Sequence, residues 1–251
     1  MLTPEGKDKL FAIGTFLALM YVMYVVTEPF ITKSRRSKMS DKEIFTDIYK
    51  THEWGGWNGV GPGSTEKDGA QPFINYLQNF LNSHPEITTV VDMGCGYGEL
   101  LKNIKWPKQA EYLGLDIVDS VIDFNRKHYV KKNIKFSKVN KLQDLAKYKG
   151  DLLILKDVIQ HWTTQQILYA KNNIIPNFRY AIIVNNIHTR YPTVVNSEIS
   201  TGESRPIDLT AKPFFMNPKE IKHYELPPFR TKRIHLFEND PKKPQRPVTK
   251  P

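Results

Sequence analysis

Residues 90–101, VVDMGCGYGELL, place Asp92, Gly94, Gly96 and Gly98 at alternate positions after a β-branched run. Glycine has no Cβ, so a loop of this kind turns tightly and lets its backbone approach a ligand closely. Asp116 follows Gly98 by eighteen residues, at the predicted end of the next strand, where a carboxylate accepts both hydroxyls of a ribose. Dinucleotide-binding proteins use a similar turn. Their third glycine, in the G-x-G-x-x-G phase, is missing, and Tyr97 occupies a place that would crowd a pyrophosphate.

These residues need a scaffold that delivers strand ends to one edge. TTVVDM (88–93), EYLGLDI (111–117), NIKFSKV (133–139), DLLILK (151–156) and YAIIVN (180–185) read as buried strands. Amphipathic segments such as SVIDFNRKHYV (120–130) and QQILYAKNNI (165–174) lie between them, which predicts an α/β domain on a largely parallel sheet. IKHYEL (221–226) and TKRIHLF (231–237) form a predicted hairpin around PPF.

The D-x-G-x-G-x-G pattern followed by an acidic residue resembles the class I S-adenosylmethionine-dependent methyltransferases. GVGPGST (59–65), WPKQAEYLGLDIVDSVID (106–123), LLILKDVIQHW (152–162) and SRPIDLTAKPF (204–214) together resemble a group of methyltransferases found with polysaccharide-modifying genes. The resemblance spans roughly residues 45–238. It implies a Rossmann-like, mostly parallel seven-stranded sheet of order 3-2-1-4-5-7-6, with helices on both faces and the last strand antiparallel. It also implies that S-adenosylmethionine lies over the carboxyl ends of the first strands, on a loop comprising Asp92, Gly94, Gly96 and Gly98. Gly94 and Gly96 would abut the methionine part and adenosine, Asp116 would hold the ribose, and Asp157 would lie near the methionine amino group or the substrate. Where the family commonly has an Asp accepting from the adenine amino group, this chain has Asn140, whose amide oxygen can accept the same bond.

Methyl transfer to a hydroxyl requires alignment, exclusion of water and removal of a proton. His161, a few residues after the fourth strand, is the first candidate base; the alternative is that it caps the next helix or packs beneath the donor. Asp157 could replace it or orient it. Asn186 and His188 close the fifth strand on the acceptor side. Asp157 with Asn185 and Asn186 is similar to the cation site of metal-dependent O-methyltransferases, but Asn185 replaces a carboxylate, so no metal is expected. The long polar segment 189–210 could fold over a sugar, with Arg205 and Asp208 gripping its hydroxyls, or those two could pair with each other and fix the loop. Trp54 and Trp57 form either a stacking wall or a lid packed on the core.

Of the chain's net charge of +10, residues 1–38 carry +3 and residues 240–251 another +3, so the middle is only mildly basic and nucleic acid is not an expected partner. Cys95 alone excludes an intramolecular disulfide and fits a reducing, cytosol-facing setting. The seventeen residues Leu10–Val26 lack charges, and basic residues Lys33, Arg35, Arg36 and Lys38 follow. Residues 1–38 therefore read as a single-pass membrane anchor with its basic flank, the main domain facing the cytoplasm. A cleaved signal would show small residues at a cleavage site, and a core helix a polar face. Residues 39–239 form the expected catalytic domain, and the proline-rich, basic residues 240–251 a disordered tail. The expected function is O-methylation of a sugar hydroxyl on a glycan or lipid-linked saccharide. The alternatives are methylation of RNA or protein, and a membrane-tethered module that kept the fold without the chemistry.

Overall fold

β-Branched and leucine-rich runs become strands because each supplies side chains to both faces of a covered sheet, and parallel strands are buried on both sides. The computed structural model describes residues 4–55, 59–61, 64, 69–187, 195–226 and 230–239. The chain divides into two compact units, Met1–Ser40 and Asp41–Pro251.

The first unit holds α1 (Pro4–Arg36), in which Phe11–Arg36 is apolar and long enough to cross a membrane by length and composition. The second begins with α2 (Asp41–Thr51) and α3 (Gln71–Ser83). Neither helix was expected from the pattern of the sequence. Then β1 (Thr89–Met93), α4 (Glu99–Asn103), β2 (Glu111–Asp116), α5 (Asp119–His128), β3 (Ile134–Lys138) and β4 (Gly150–Lys156) follow. The domain continues through α6 (Thr164–Asn173), β5 (Phe178–Ile187), β6 (Glu220–Leu226) and β7 (Arg230–Glu238). Thr163 caps α6 by accepting from the Gln166 amide, while the Gln166 side chain accepts from the Thr163 amide in return.

The seven strands lie in the order β3-β2-β1-β4-β5-β7-β6. Strands β1 to β5 run parallel, and β7 pairs antiparallel with both β5 and β6. This is the Rossmann-like methyltransferase sheet that the resemblance implied. Tyr112, Leu152, Ile154 and Ile182 pack with Phe73 and Leu77 of α3 on one face. Leu153, Leu155 and Ile183 pack on the other with Ile167 of α6 and with Ile207, Leu209 and Phe214. The described part of the long polar segment is therefore fastened to the sheet by two fully buried apolar side chains, Ile207 and Leu209, and Phe214 anchors the chain just beyond it. All five parallel strands aim their carboxyl ends at one edge, where open α/β sheets bind ligands.

Candidate functional site

At that edge the chain leaves β1 through a loop that folds back on β2, with the Gly94 and Cys95 amides donating to the Leu115 carbonyl at 2.7 and 3.0 Å. Gly94 has φ of 77°, and a Cβ there would lie 2.5 Å from Val158 Cγ2, so no other residue fits. Gly98 starts α4 at φ 70°, where a Cβ would lie 2.7 Å from the Tyr129 ring. At Gly96, φ 51°, a Cβ would make only an ordinary contact, 3.6 Å from the Tyr49 hydroxyl.

Two carboxylates flank this loop. Asp116 is buried, and its two oxygens accept from the Gly96 amide (3.1 Å) and the Val118 amide (3.0 Å). Burial raises its pKa, and the two amides counter part of that rise. Asp92 accepts from the Tyr112 hydroxyl at 2.6 Å; burial pushes its pKa up to about 7. Both are placed by their strands, since each ends a run whose preceding residues are locked in register between neighbours.

Two adjoining clefts open over these groups. One is lined by Asp92, Gly94, Gly96, Lys156, Asn186 and Ser204, the other by Leu115, Asp116, Ile117, Val139, Leu142 and Trp162. Tyr49, Trp54, Gly94, Asp157 and His161 border both. The second is mainly apolar and includes the Asp116 carboxylate in its lining, which suits a nucleoside; the first is the more polar of the two.

His161 sits in a 3-10 turn, Ile159–His161, directly after β4. It is buried, and burial lowers its pKa to about 4. Gln160 Oε1 accepts from the Asn186 amide at 3.0 Å, so its Nε2 is the group facing His161 Nε2 at 3.2 Å. The imidazole Nε2 is therefore the acceptor, and Nδ1–H donates to the Glu203 carbonyl at 3.0 Å. One neutral tautomer is fixed by both neighbours.

Asp157 adopts φ of 61°, a region rare for non-glycine residues. Lys156 Nζ donates to its Oδ2 at 2.6 Å, and Lys232 of β7 donates to its Oδ1. Burial pushes this carboxylate up, but the two ammonium groups outweigh it and hold the pKa at about 2. That corrects the expectation of Asp157 as a base, because both its oxygens already accept from ammonium groups.

Two further expectations are corrected. Arg205 is buried, with its guanidinium donating to the Trp162 carbonyl at 2.8 Å, the Thr164 hydroxyl at 3.2 Å and the Ser197 carbonyl. It pins the loop rather than gripping a sugar. Asp208 accepts from Thr210 and pairs with Arg233 at 2.5 Å, away from both clefts, so neither the sugar grip nor an Arg205–Asp208 pair occurs. Asn140 is exposed, its side-chain oxygen faces Lys42 Nζ at 3.4 Å, and Val139, Lys141 and Leu142 line the nucleoside cleft around it. Trp57 and His188 lie outside the described residues.

Trp54 forms a wall, stacking on His161 with centroids 4.2 Å apart and touching the Tyr49 ring edge at 5.7 Å. Sequence reasoning missed Tyr49, Gln160, Lys156 and Lys232. Lys232 alternates with Ile234 and Leu236, so the period of β7 already put an ammonium on a buried face.

Residues 91–172 match the family model described as a methyltransferase domain. Residues 91–172 therefore hold a methyltransferase domain, whose donor is S-adenosylmethionine. The Gly94–Gly98 cradle, which a Cβ would fill at Gly94, and the Asp116 carboxylate fit that donor. No curated protein matches this chain. Among solved structures, it is similar to the N-terminal domain of EvdMO1 crystallised with SAH and D-fucose, at 10% identity, TM-score 0.52, with 66% of this chain and 82% of that one covered. An O-methyltransferase family protein from Burkholderia thailandensis shares 15% identity at TM-score 0.49, with 68% of this chain covered. The chain spans 56% of that protein's length.

Proposed function

We propose that the domain O-methylates a hydroxyl of a saccharide acceptor, with α1 holding it at a membrane. The observation that carries this reading is His161, a neutral imidazole of fixed tautomer at the junction of the nucleoside cleft and the polar cleft. Bound S-adenosylmethionine supplies a methyl group on a sulfonium, which is already a good leaving group.

The chain's own residues then have separable tasks. Asp116 accepts from the ribose hydroxyls through its remaining lone pairs, and the Gly94–Gly98 loop lets the donor lie close to the backbone. Asp92 lies under the methionine end beside Gly94 and Gly96. The acceptor hydroxyl takes the place of the Gln160 amide at His161 Nε2 and yields its proton there, while the Glu203 carbonyl holds Nδ1–H. Trp54 and Tyr49 exclude water from the junction. Asn186 and Ser204 give the first cleft the polar lining that a hydroxyl-rich acceptor needs. The resemblance to methyltransferases of polysaccharide modification supports a saccharide over RNA or protein.

Calorimetric titration of the detergent-solubilised chain with S-adenosylhomocysteine tests the donor half. One-to-one binding is expected; a folded chain that does not bind would make it a tethered module without the chemistry. Radiolabelled methyl transfer to capsular polysaccharide, RNA and protein fractions then tests the acceptor.

A further inference from the structure

We propose that Asp41 reads the adenine of the methyl donor: its carboxylate accepts from the exocyclic amino group, the task expected of Asn140. This rests on the methyl-transfer reading. Asp41, Phe45 and Tyr49 stand one turn apart on α2, and all three line the nucleoside cleft, so one stripe of the helix lies along it. The Tyr49 end of the stripe is at the glycine loop, where its hydroxyl is 3.6 Å from a notional Cβ of Gly96, the residue whose amide donates to Asp116. Asp41 lies two turns away, about 12 Å along the helix axis. That is roughly the length of a nucleoside, so a ligand with its ribose at Asp116 brings the edge of its base level with Asp41.

The Asp41 carboxylate is held in place by α6. Gln166 Nε2 donates to its Oδ2 at 2.8 Å, and Gln166 Oε1 is itself occupied by the Thr163 amide in the cap of that helix. The other oxygen, Oδ1, accepts from no group among the described residues. Lys42 pairs with Asp119 at 2.8 Å, so the first turn of α2 is tied to both α5 and α6. Ile117, Val139, Leu142 and Leu145 give the cleft apolar walls that suit the faces of a purine and offer nothing to its polar edge. Of the other carboxylates in the lining, Asp116 serves the ribose and Asp157 has both oxygens on ammonium groups. Lys141 lines the cleft too, but an ammonium cannot accept from an amino group. Asn140 is exposed, and its side-chain oxygen faces Lys42 Nζ.

The full chain in detergent is titrated with S-adenosylhomocysteine and with two analogues of it, in which hydrogen or a carbonyl oxygen replaces the 6-amino group of the base. The series is repeated with Asp41→Ala, Asp41→Asn and Asn140→Ala. Wild type should bind S-adenosylhomocysteine about tenfold more tightly than the 6-hydrogen analogue, the loss expected for one hydrogen bond to a charged group. Asp41→Ala should bring that ratio close to one. Asp41→Asn can turn its amide nitrogen to a carbonyl oxygen, so it should bind the 6-carbonyl analogue more tightly than wild type does. An aspartate in the first turn that serves only to stabilise α2 would, when replaced, weaken all three ligands by the same factor; unchanged ratios in Asp41→Ala therefore overturn the proposal. So does equal affinity of wild type for S-adenosylhomocysteine and the 6-hydrogen analogue, a result that depends on no variant folding. A ratio lost in Asn140→Ala and kept in Asp41→Ala returns the base to Asn140. Failure of the wild-type chain to bind S-adenosylhomocysteine overturns the methyl-transfer reading and the Asp41 assignment with it.

Discussion

Trp54 and His161 lie nearly face to face, 4.2 Å between ring centroids and 27° between planes. Trp54 comes from the segment after α2 and His161 from the turn after β4, so this stack joins the amino-terminal wall to the sheet edge. It also seals the imidazole from water, and burial is the largest cause of its lowered pKa. A proton acceptor at this point is neutral throughout the physiological range.

The pH profile of turnover should show the consequence. The wild-type rate should stay flat from neutral pH down to about 5 and fall as His161 protonates near pH 4. Gln160→Glu puts a carboxylate beside Nε2, favours the imidazolium and should move that limb upward. His161→Ala should slow turnover by ~10²–10⁴ with donor affinity retained. An unchanged limb in Gln160→Glu would return His161 to a packing role.

Asp116→Ala removes the carboxylate at the end of the nucleoside cleft and should abolish measurable binding of S-adenosylhomocysteine. Asp116→Asn keeps the shape and one acceptor oxygen, so it should bind more weakly than wild type but better than alanine. Retained micromolar affinity in the alanine variant would remove Asp116 from the donor site.

Much of the scaffold was legible in the sequence, for a definite reason. β1, β2, β4 and β5 are runs of alternating or continuous apolar residues separated by amphipathic helices, and the run-to-run spacing leaves little freedom in a parallel sheet. Asp92, Gly94, Gly98 and Asp116 were legible because local chemistry fixes them: a φ only glycine holds easily, or a carboxylate at a strand end. Arg205 and Asp208 were misread because their partners come from tertiary packing; Trp162 and Arg233 lie 43 and 25 residues away and carry no local sign of the contact. Gln160 was missed for a related reason, since its role depends on an amide of β5 and an imidazole of the neighbouring residue meeting one side chain.

Arg205 therefore offers a test of stability rather than of recognition. Arg205→Ala leaves the buried carbonyl of Trp162 and that of Ser197 without their donor and should cost about 3 kcal/mol. The melting temperature should drop while S-adenosylhomocysteine affinity, measured well below it, stays within about twofold. A stable variant with weakened sugar binding would restore the recognition role.

Asp92 and the buried histidines oppose each other in pH dependence. An unfolded carboxyl loses its proton near pH 4, whereas Asp92 keeps it to about 7. The folded chain holds the extra proton in between, so the Asp92 contribution declines as pH rises from about 4 and is gone above about 7. His161 and His235 are each held near 4, below the unfolded value of about 6.5, so their contribution is complete above that value and lost as pH falls through about 4. Asp92→Asn removes only the first effect and leaves an oxygen for Tyr112. Its melting temperature relative to wild type should rise between about pH 4 and 7 and level off above that, and a constant difference would show that Asp92 ionises normally.

The apolar helix gives the last prediction its form. Phe11–Arg36 is apolar and long enough to cross a membrane, and the second unit begins shortly after it at Asp41. A helix of this length loses its favourable transfer into lipid if kept in water, so the full chain should sediment with membranes and resist extraction by salt or alkali, yielding only to detergent. Removal of residues 1–38 should leave a chain that stays in the supernatant and binds S-adenosylhomocysteine with unchanged affinity. Continued sedimentation of the shortened chain, reversed by salt, would assign membrane contact to the basic residues of 240–251 acting on anionic lipid, because electrostatic attachment is screened where hydrophobic insertion is not.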